Sequence, residues 1–188
     1  LLAYLEMLQR WNKAYNLTAI REPIQMVRLH LLDSLAIHPF IQGVKDIIDV
    51  GTGPGLPGIP LAILNPDKNF TLLDSNGKKI GFVRHVIAEL GLRNATAAHA
   101  RAQDYAPGER FDTVIARALA SIQKLLELAG HLLDKEGVLL ALKGKHPAAE
   151  LEQIRDIPGW TYEVTELTVP GLASHARHVV CLRKTDTV

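Results

Sequence analysis

Asp46-Ile47-Ile48-Asp49-Val50-Gly51-Thr52-Gly53-Pro54-Gly55-Leu56-Pro57-Gly58 is an apolar run that empties into a turn made almost entirely of glycine and proline. Ile47, Ile48 and Val50 are β-branched and bounded by turn residues, the signature of a short buried strand. Four glycines then fall within eight positions. That density suits a backbone that must bend sharply, or that lets a ligand approach where any Cβ would clash. The segment from Gly58 to Leu64 reads as a helix, expected to aim its free N–H groups at whatever sits in the loop. Strand, glycine loop and helix together read as a cofactor-binding unit.

The spacing leaves the cofactor open. Gly53-Pro54-Gly55-Leu56-Pro57-Gly58 satisfies the dinucleotide fingerprint G-x-G-x-x-G, a weak match on its own. The next apolar run, Phe70-Thr71-Leu72-Leu73-Asp74, ends in an acid 23 positions beyond Gly51. A carboxylate there can accept both hydrogens of a ribose diol. NAD and S-adenosylmethionine both carry an adenosine ribose, so the diol does not separate them. Length helps, because only 137 residues follow Gly51 and all read as parts of one sheet. A dehydrogenase usually needs two mononucleotide halves and a substrate domain, so the methyl donor fits better.

Strands and helices alternate outward from this unit. A helix from Asn76 to Leu90 carries Ile80, Val83, Ile87 and Leu90 on one face and stops at Gly91. Further strands are expected at 94–99, 111–116, 137–142, 160–169 and 178–182, with helices at 125–133 and 148–157. This pattern predicts an α/β fold with a mostly parallel seven-stranded sheet and helices on both faces. Upstream, Leu1, Leu5, Leu8 and Trp11 mark an amphipathic helix ending near Asn16. Pro23, Ile24, Val27, Leu31 and Leu35 mark a second, to about Ile37. These two precede the first strand, so residues 1–43 read as a helical cap shaping the substrate side and residues 44–188 as the cofactor-binding domain. In the cap, His30 and Asp33 share a helix face: a metal or acid–base pair can be imagined, but an intrahelical His–carboxylate contact or a buried polar bond is the ordinary reading. Lys78, Lys79 and Arg84 lie off the apolar face of their helix and read as solvated.

Composition narrows the class without naming it. The chain has 188 residues, 47% hydrophobic and 22% charged, with a formal charge of +1. One sizeable core is allowed, disorder is not indicated, and any polyanion partner must meet a local basic patch. Cys181 is the single cysteine, so an intrachain disulfide and a cysteine zinc cluster are excluded and a reducing, cytoplasmic setting is expected. Glu6, Arg10 and Lys13 interrupt the first apolar positions and no run approaches a membrane span. Neither export nor membrane insertion is expected, and the first residue is already in helical register, which suggests that residues precede it.

Asp49-Val50-Gly51-Thr52-Gly53-Pro54-Gly55-Leu56-Pro57-Gly58-Ile59-Pro60-Leu61-Ala62, with Thr71-Leu72-Leu73-Asp74-Ser75 and Lys78-Lys79, resembles the bacterial 16S ribosomal RNA guanine-N7 methyltransferases, also called glucose-inhibited division protein B. The likeness runs over nearly the whole chain, including Asn16-Leu17-Thr18 and His30-Leu31-Leu32-Asp33-Ser34-Leu35. It implies a Rossmann-like class I S-adenosylmethionine-dependent methyltransferase fold, with S-adenosylmethionine held by Gly51, Gly53, Leu56, Asp74, Ala102, Gln103 and Arg117. Arg117 is the implied catalytic residue, at the carboxyl end of the fourth strand where open α/β sheets bind ligands. Arg101, Lys143, Arg177 and His30 are the implied RNA contacts. The partner that the resemblance implies is 16S ribosomal RNA or the small ribosomal subunit, and the chain is expected to be a monomer. The family usually has Arg-Ala-Glu where this chain has Arg101-Ala102-Gln103, so an amide replaces a carboxylate beside the adenine. It also has Leu-Lys-Gly at Leu142-Lys143-Gly144 and a small-residue loop ending in Arg-His, here Pro170 to His178.

The expected chemistry is light. N7 of guanine already offers an in-plane lone pair, so alignment of N7, methyl carbon and sulfur at about 3 Å is enough and a general base is not required. N7 must stay free, so an arginine can hold O6 or a phosphate but cannot grip both acceptors of the Hoogsteen edge. Arg117 is therefore expected to position the base or the cofactor carboxylate, and Arg101, Lys143 and Arg177 to form one basic rim on the RNA backbone. Three alternatives stay open: a methyltransferase of another substrate, an NAD-dependent oxidoreductase, and a non-catalytic RNA-binding scaffold.

Overall fold

The computed structural model describes residues 1–172 and 175–185. Ala173 and Ser174, in the small-residue loop from Pro170 to His178, lie outside the described residues. Helix α1, Leu2–Tyr15, buries Tyr4, Leu5 and Leu8 and ends on Asn16 in the left-handed region, a conformation asparagine tolerates as a helix cap. The second helix begins as α2, Pro23–Met26, where the Glu22 carboxylate accepts from the Ile24 and Gln25 N–H groups. It then widens into a π-helical stretch, Val27–Leu32, and returns to α-geometry as α3, Asp33–Leu35. Leu31 is buried and Val27 and Leu35 pack against the core, as the apolar stripe predicts, but Ile24 at its start stands 59% exposed. Met26, His30, Asp33 and Ser34 are buried as well, because a wide turn departs from the 3.6-residue period that the stripe assumes.

From β1 (Asp46–Val50) the chain alternates: α4 (Gly58–Leu64), β2 (Asn69–Asp74), α5 (Gly77–Leu90), β3 (Ala95–His99), β4 (Phe111–Arg117), α6 (Ile122–Ala129), β5 (Leu133–Lys143), α7 (Ala148–Ile154), β6 (Trp160–Glu166) and β7 (His178–Lys184). The sheet order is β3-β2-β1-β4-β5-β7-β6. The first five strands in that order are parallel, and β7 runs antiparallel to both β5 and β6. The order reverses between β1 and β4, which opens a crevice at their carboxyl ends. Val50 pairs with Leu73 and Ala116 there, so the glycine loop, Asp74 and Arg117 converge on one edge.

Two apolar layers flank the sheet, as the period-two alternation of its strands requires. Ile47, Leu72, Ile115, Leu140 and Val179 face α1, α4, α5 and the cap, while Ile48, Val114, Leu139 and Val180 face α6 and α7. Cap residues Tyr4, Leu8, Met26 and Ile37 share the first core with the sheet. Several boundaries differ from the sequence reading, among them the ends of α6 at Ala129, α7 at Ile154 and β6 at Glu166. Helix α6 starts at Ile122 and not Leu125, because Glu150 Oε2 accepts the Ile122 N–H at 2.7 Å and Ser121 caps the turn. Strand β5 begins at Leu133, ahead of Gly137, through an irregular register between Phe111 and Thr113.

Candidate active site

The glycine loop is shaped by two carboxylates. Gly51 adopts a φ of +71°, and the Gly51 and Thr52 N–H groups both donate to the Leu73 carbonyl at 2.8 and 3.0 Å. Asp74, 9% exposed, accepts the Gly53 N–H on Oδ2 at 2.9 Å and the Asn76 N–H on Oδ1 at 2.8 Å. Behind them Asp49 is fully buried. Its Oδ2 accepts from Thr52 Oγ1 at 2.6 Å and from the Gly58 N–H at 2.9 Å. Burial pushes its carboxyl up to about 6, against the pull of those two donors. Asp49 is thus a pin under the loop. It also corrects the expectation for α4: the Gly58 N–H is spent on Asp49 and the Ile59 N–H on the Gly55 carbonyl, so these groups do not face a ligand. A Cβ at Gly58 would stand 2.1 Å from Leu72 Cδ2, which fixes glycine there.

Two cavities meet over this loop. One, of about 600 Å³, is walled by Asp74, Ser75, Asn76, Arg101, Ala102, Gln103 and Leu119. The other, of about 500 Å³, is walled by Asp33, Pro54, Leu56, Lys143, Leu167, Arg177 and His178. Gly51, Lys79, Arg117 and Ala118 border both. Each volume is in the range of small-molecule sites. The turn after β4 completes the shared wall. Ala118 sits in the left-handed region at φ +52°, and Leu119 lies so near Gly51 that a Cβ on the glycine would come within 2.7 Å of its Cδ1. A non-glycine residue held in that region is a strained feature that clusters at ligand sites.

The cap reaches into the second cavity. The Tyr4 hydroxyl donates to the Pro54 carbonyl at 3.0 Å, and burial raises the phenol far above its ordinary range. Arg117 Nη1 donates to the Leu29 carbonyl and to Asp33 Oδ2, both at 3.3 Å. Arg177 Nε donates to Asp33 Oδ1 at 2.6 Å. Lys143 Nζ pairs with Glu150 at 2.8 Å and donates to the Ala120 carbonyl at 2.9 Å. Among the described residues no group of three or more His, Cys, Asp or Glu is placed to hold a metal ion.

The residues read from sequence divide accordingly. Gly51, Gly53, Leu56, Asp74, Ala102, Gln103 and Arg117 all border the paired cavities or hold their loop. The expected single basic rim is split: Lys143 and Arg177 line one cavity and Arg101 the other, joined through Arg117. His30 borders neither. It is 6% exposed, its Nε2 lies 3.0 Å from Thr18 Oγ1, and burial with Arg117 nearby pushes it down to about 4. A neutral buried imidazole is a strut between the Asn16–Ile20 loop and the π turn, which corrects its assignment as an RNA contact. Of the two ordinary readings of His30, the buried polar bond is the one found, to Thr18, while Asp33 turns to the two arginines. Lys79, whose sequence reading favours a solvated face over RNA contact, borders both cavities. Its signal was available: a helix following a parallel strand starts at the ligand edge, so its first turn belongs to the site.

This sheet order, crevice and cofactor-type loop define the class I S-adenosylmethionine-dependent methyltransferase fold. Solved structures agree. A ribosomal protein L11 methylase from Lactobacillus delbrueckii subsp. bulgaricus aligns with a TM-score of 0.64 at 17% identity, covering 82% of this chain and 77% of that one. A SAM-dependent methyltransferase from Aquifex aeolicus aligns at 0.62 with 18% identity, covering 83% and 92%.

Residues 1–180 match the family described as rRNA small subunit methyltransferase G. Curated relatives include the ribosomal RNA small subunit methyltransferase G of Vibrio vulnificus, 48% identical over 99% of this chain and 87% of that protein. That of Legionella pneumophila (strain Corby) is 51% identical over 92% of this chain and 80% of that protein. The chain belongs to this methyltransferase family.

Proposed function

We propose that the chain transfers the methyl group of S-adenosylmethionine to N7 of a guanine in the decoding region of 16S ribosomal RNA. The carrying observation is the pair of cavities that meet at Arg117, one beside the Asp74 carboxylate and the other walled by cations. The residues fit the cofactor: Gly51 leaves no room for a side chain, and among the described residues Asp74 accepts from two N–H groups, while a carboxylate has roughly four acceptor directions. Its spare lone pairs suit a ribose diol. Backbone groups of Ala102 and Gln103 would hold the adenine, with Gly53 and Leu56 along the loop. Bound there, S-adenosylmethionine supplies a methyl group already activated by its sulfonium.

The chain's own residues then align and exclude. Arg117, bordering both cavities, positions the base through O6 or the cofactor carboxylate, and leaves N7 free. No side chain is needed to remove a proton from N7, so the depressed His30 and the raised Asp49 serve structure and not acid–base catalysis. Arg101, Lys143, Arg177 and Lys79 meet the RNA backbone, the phosphate competing with Glu150 for Lys143. Residues 1–43 act as the cap on the substrate side and residues 44–188 as the catalytic domain. A monomer acting in the cytoplasm on 16S ribosomal RNA or the small subunit suits the lone thiol, Cys181, which is buried and pushed up to about 11. The test is transfer of labelled methyl from S-adenosylmethionine to small-subunit RNA, with the modified nucleoside identified by mass spectrometry. N7-methylguanosine is expected. Label on another base, or none, would overturn the reading.

A further inference from the structure

We infer that Asp33 is a positioning residue for RNA binding, the shared anchor that sets Arg177 against Arg117 at one end of the cavity; this rests on the RNA-methylating function proposed above. Asp33 lies in the cap, remote in sequence from both partners, yet its two oxygens divide between them: Oδ1 takes Arg177 Nε at 2.6 Å and Oδ2 takes Arg117 Nη1 at 3.3 Å. All three side chains are largely buried, at 11% exposure for Asp33 and 21% for each arginine, and all border the same cavity.

The π-helical stretch is what delivers the carboxylate. Asp33 N–H donates to the Arg28 carbonyl, five residues back. That leaves the Leu29 carbonyl without its ordinary donor four residues on, and it accepts Arg117 Nη1 at 3.3 Å. One wide turn therefore supplies both acceptors that hold Arg117, a use of π-turns that recurs at functional sites. Ser34, the next residue, is fully buried, so the turn is locked into the core and Asp33 cannot drift.

The charges explain why an acid stands among cations. Arg117 and Arg177 without it would face each other across a partly dry wall and repel. One carboxylate between two guanidiniums leaves the trio at net +1, still attractive to phosphate. Arg177 spends its Nε on Asp33 and one Nη1 hydrogen on the Ala176 carbonyl at 3.0 Å, so the guanidinium plane is fixed before RNA arrives. Asp33 acts through the arginine and does not itself touch RNA in this scheme.

The test is a double-mutant cycle between Asp33→Asn and Arg177→Gln, read in steady-state methylation of small-subunit RNA by the full chain, with S-adenosylhomocysteine binding as control. In the wild-type background Asp33→Asn should raise KM for RNA about tenfold, change kcat less than threefold and leave S-adenosylhomocysteine affinity within threefold. In the Arg177→Gln background, where Arg117 still keeps the Leu29 carbonyl as its acceptor, the same change should leave KM within twofold. Effects that multiply would overturn the inference, as would an unchanged KM for Asp33→Asn alone. If Asp33→Asn lacks a cooperative melt, Asp33→Glu takes its place: it keeps the charge but displaces the anchor by one methylene. A rise of about threefold that disappears in Arg177→Gln supports the inference, and one that persists overturns it. A wild-type chain that methylates no guanine would instead refute the functional reading itself.

Discussion

Replacing Asp74 by Asn keeps the shape of the side chain and removes one charged oxygen from the centre of the cofactor cavity. In the protein both oxygens are engaged, with the Gly53 N–H at 2.9 Å and the Asn76 N–H at 2.8 Å, and the remaining lone pairs border the cavity. Asparagine retains a single acceptor oxygen, and its NH₂ must oppose one of those two N–H donors. Leaving one buried N–H unsatisfied costs about 1–3 kcal/mol of stability, and losing a hydrogen bond to a charged acceptor costs about 1.5–3 kcal/mol of ligand binding. At 1.4 kcal/mol per decade, the dissociation constant for S-adenosylhomocysteine should rise by about 10–150-fold. Calorimetric titration measures this, and a thermal melt checks that the variant is folded. A 2′-deoxyribose analogue sharpens the test. It should bind the wild type more weakly than the parent compound but lose that difference in the variant, because the hydroxyl and the carboxylate are partners in one cycle. An Asp74→Asn protein that folds and binds S-adenosylhomocysteine within threefold of wild type would refute the assignment of Asp74 to the ribose.

Gly58→Ala should lower stability by about 1–3 kcal/mol, since overpacking forces neighbours to shift and the new Cβ would stand 2.1 Å from Leu72 Cδ2; denaturant unfolding reads it. His30 gives a pH signature. Its folded pKa, about 4, lies below the ordinary 6.5, so the unfolded chain takes the proton first and stability present above pH 6.5 is lost as pH falls towards 4. The difference between wild type and His30→Gln should change by about 3 kcal/mol across that window. Asp49 runs the other way: its raised pKa of about 6 favours folding below pH 3.8 and loses that contribution as pH rises through 6, so only the His30 difference isolates the effect. Arg177→Ala should weaken binding to small-subunit RNA about tenfold, near the low end of the about 1.5–3 kcal/mol of a lost hydrogen bond to a charged group, while S-adenosylhomocysteine affinity stays near normal in calorimetry.

The sheet and its ligand edge were legible because they follow from local signals. Ile47, Ile48 and Val50, and Phe70, Leu72 and Leu73, mark short apolar strands, Gly51 to Gly58 admits few other conformations, and Asp74 and Arg117 fall where parallel strands end. The cap was legible only as helices. Nothing in Val27 to Leu32 announces a π turn, because the cue is a hydrogen-bond register and not a residue type. Asp33 N–H bonds five residues back in that turn, so the pairing of Asp33 with Arg117 and Arg177 was not legible, whereas a buried polar bond for His30 was. Lys143 illustrates a different limit. Its basic character suggested phosphate, but the pairing with Glu150 joins β5 to α7, a contact fixed by packing and invisible to spacing. The α4 N–H groups were assigned to a ligand for a similar reason: the buried Asp49 that consumes one of them reads in sequence as one more strand residue.

The most direct measurement is a crystal structure of the chain grown with S-adenosylhomocysteine. The adenosine should lie beside Asp74, Ala102 and Gln103, with the amino-acid end reaching past Gly51 towards Arg117. Density for the compound elsewhere, or a glycine cleft left empty at saturating ligand, would contradict the account.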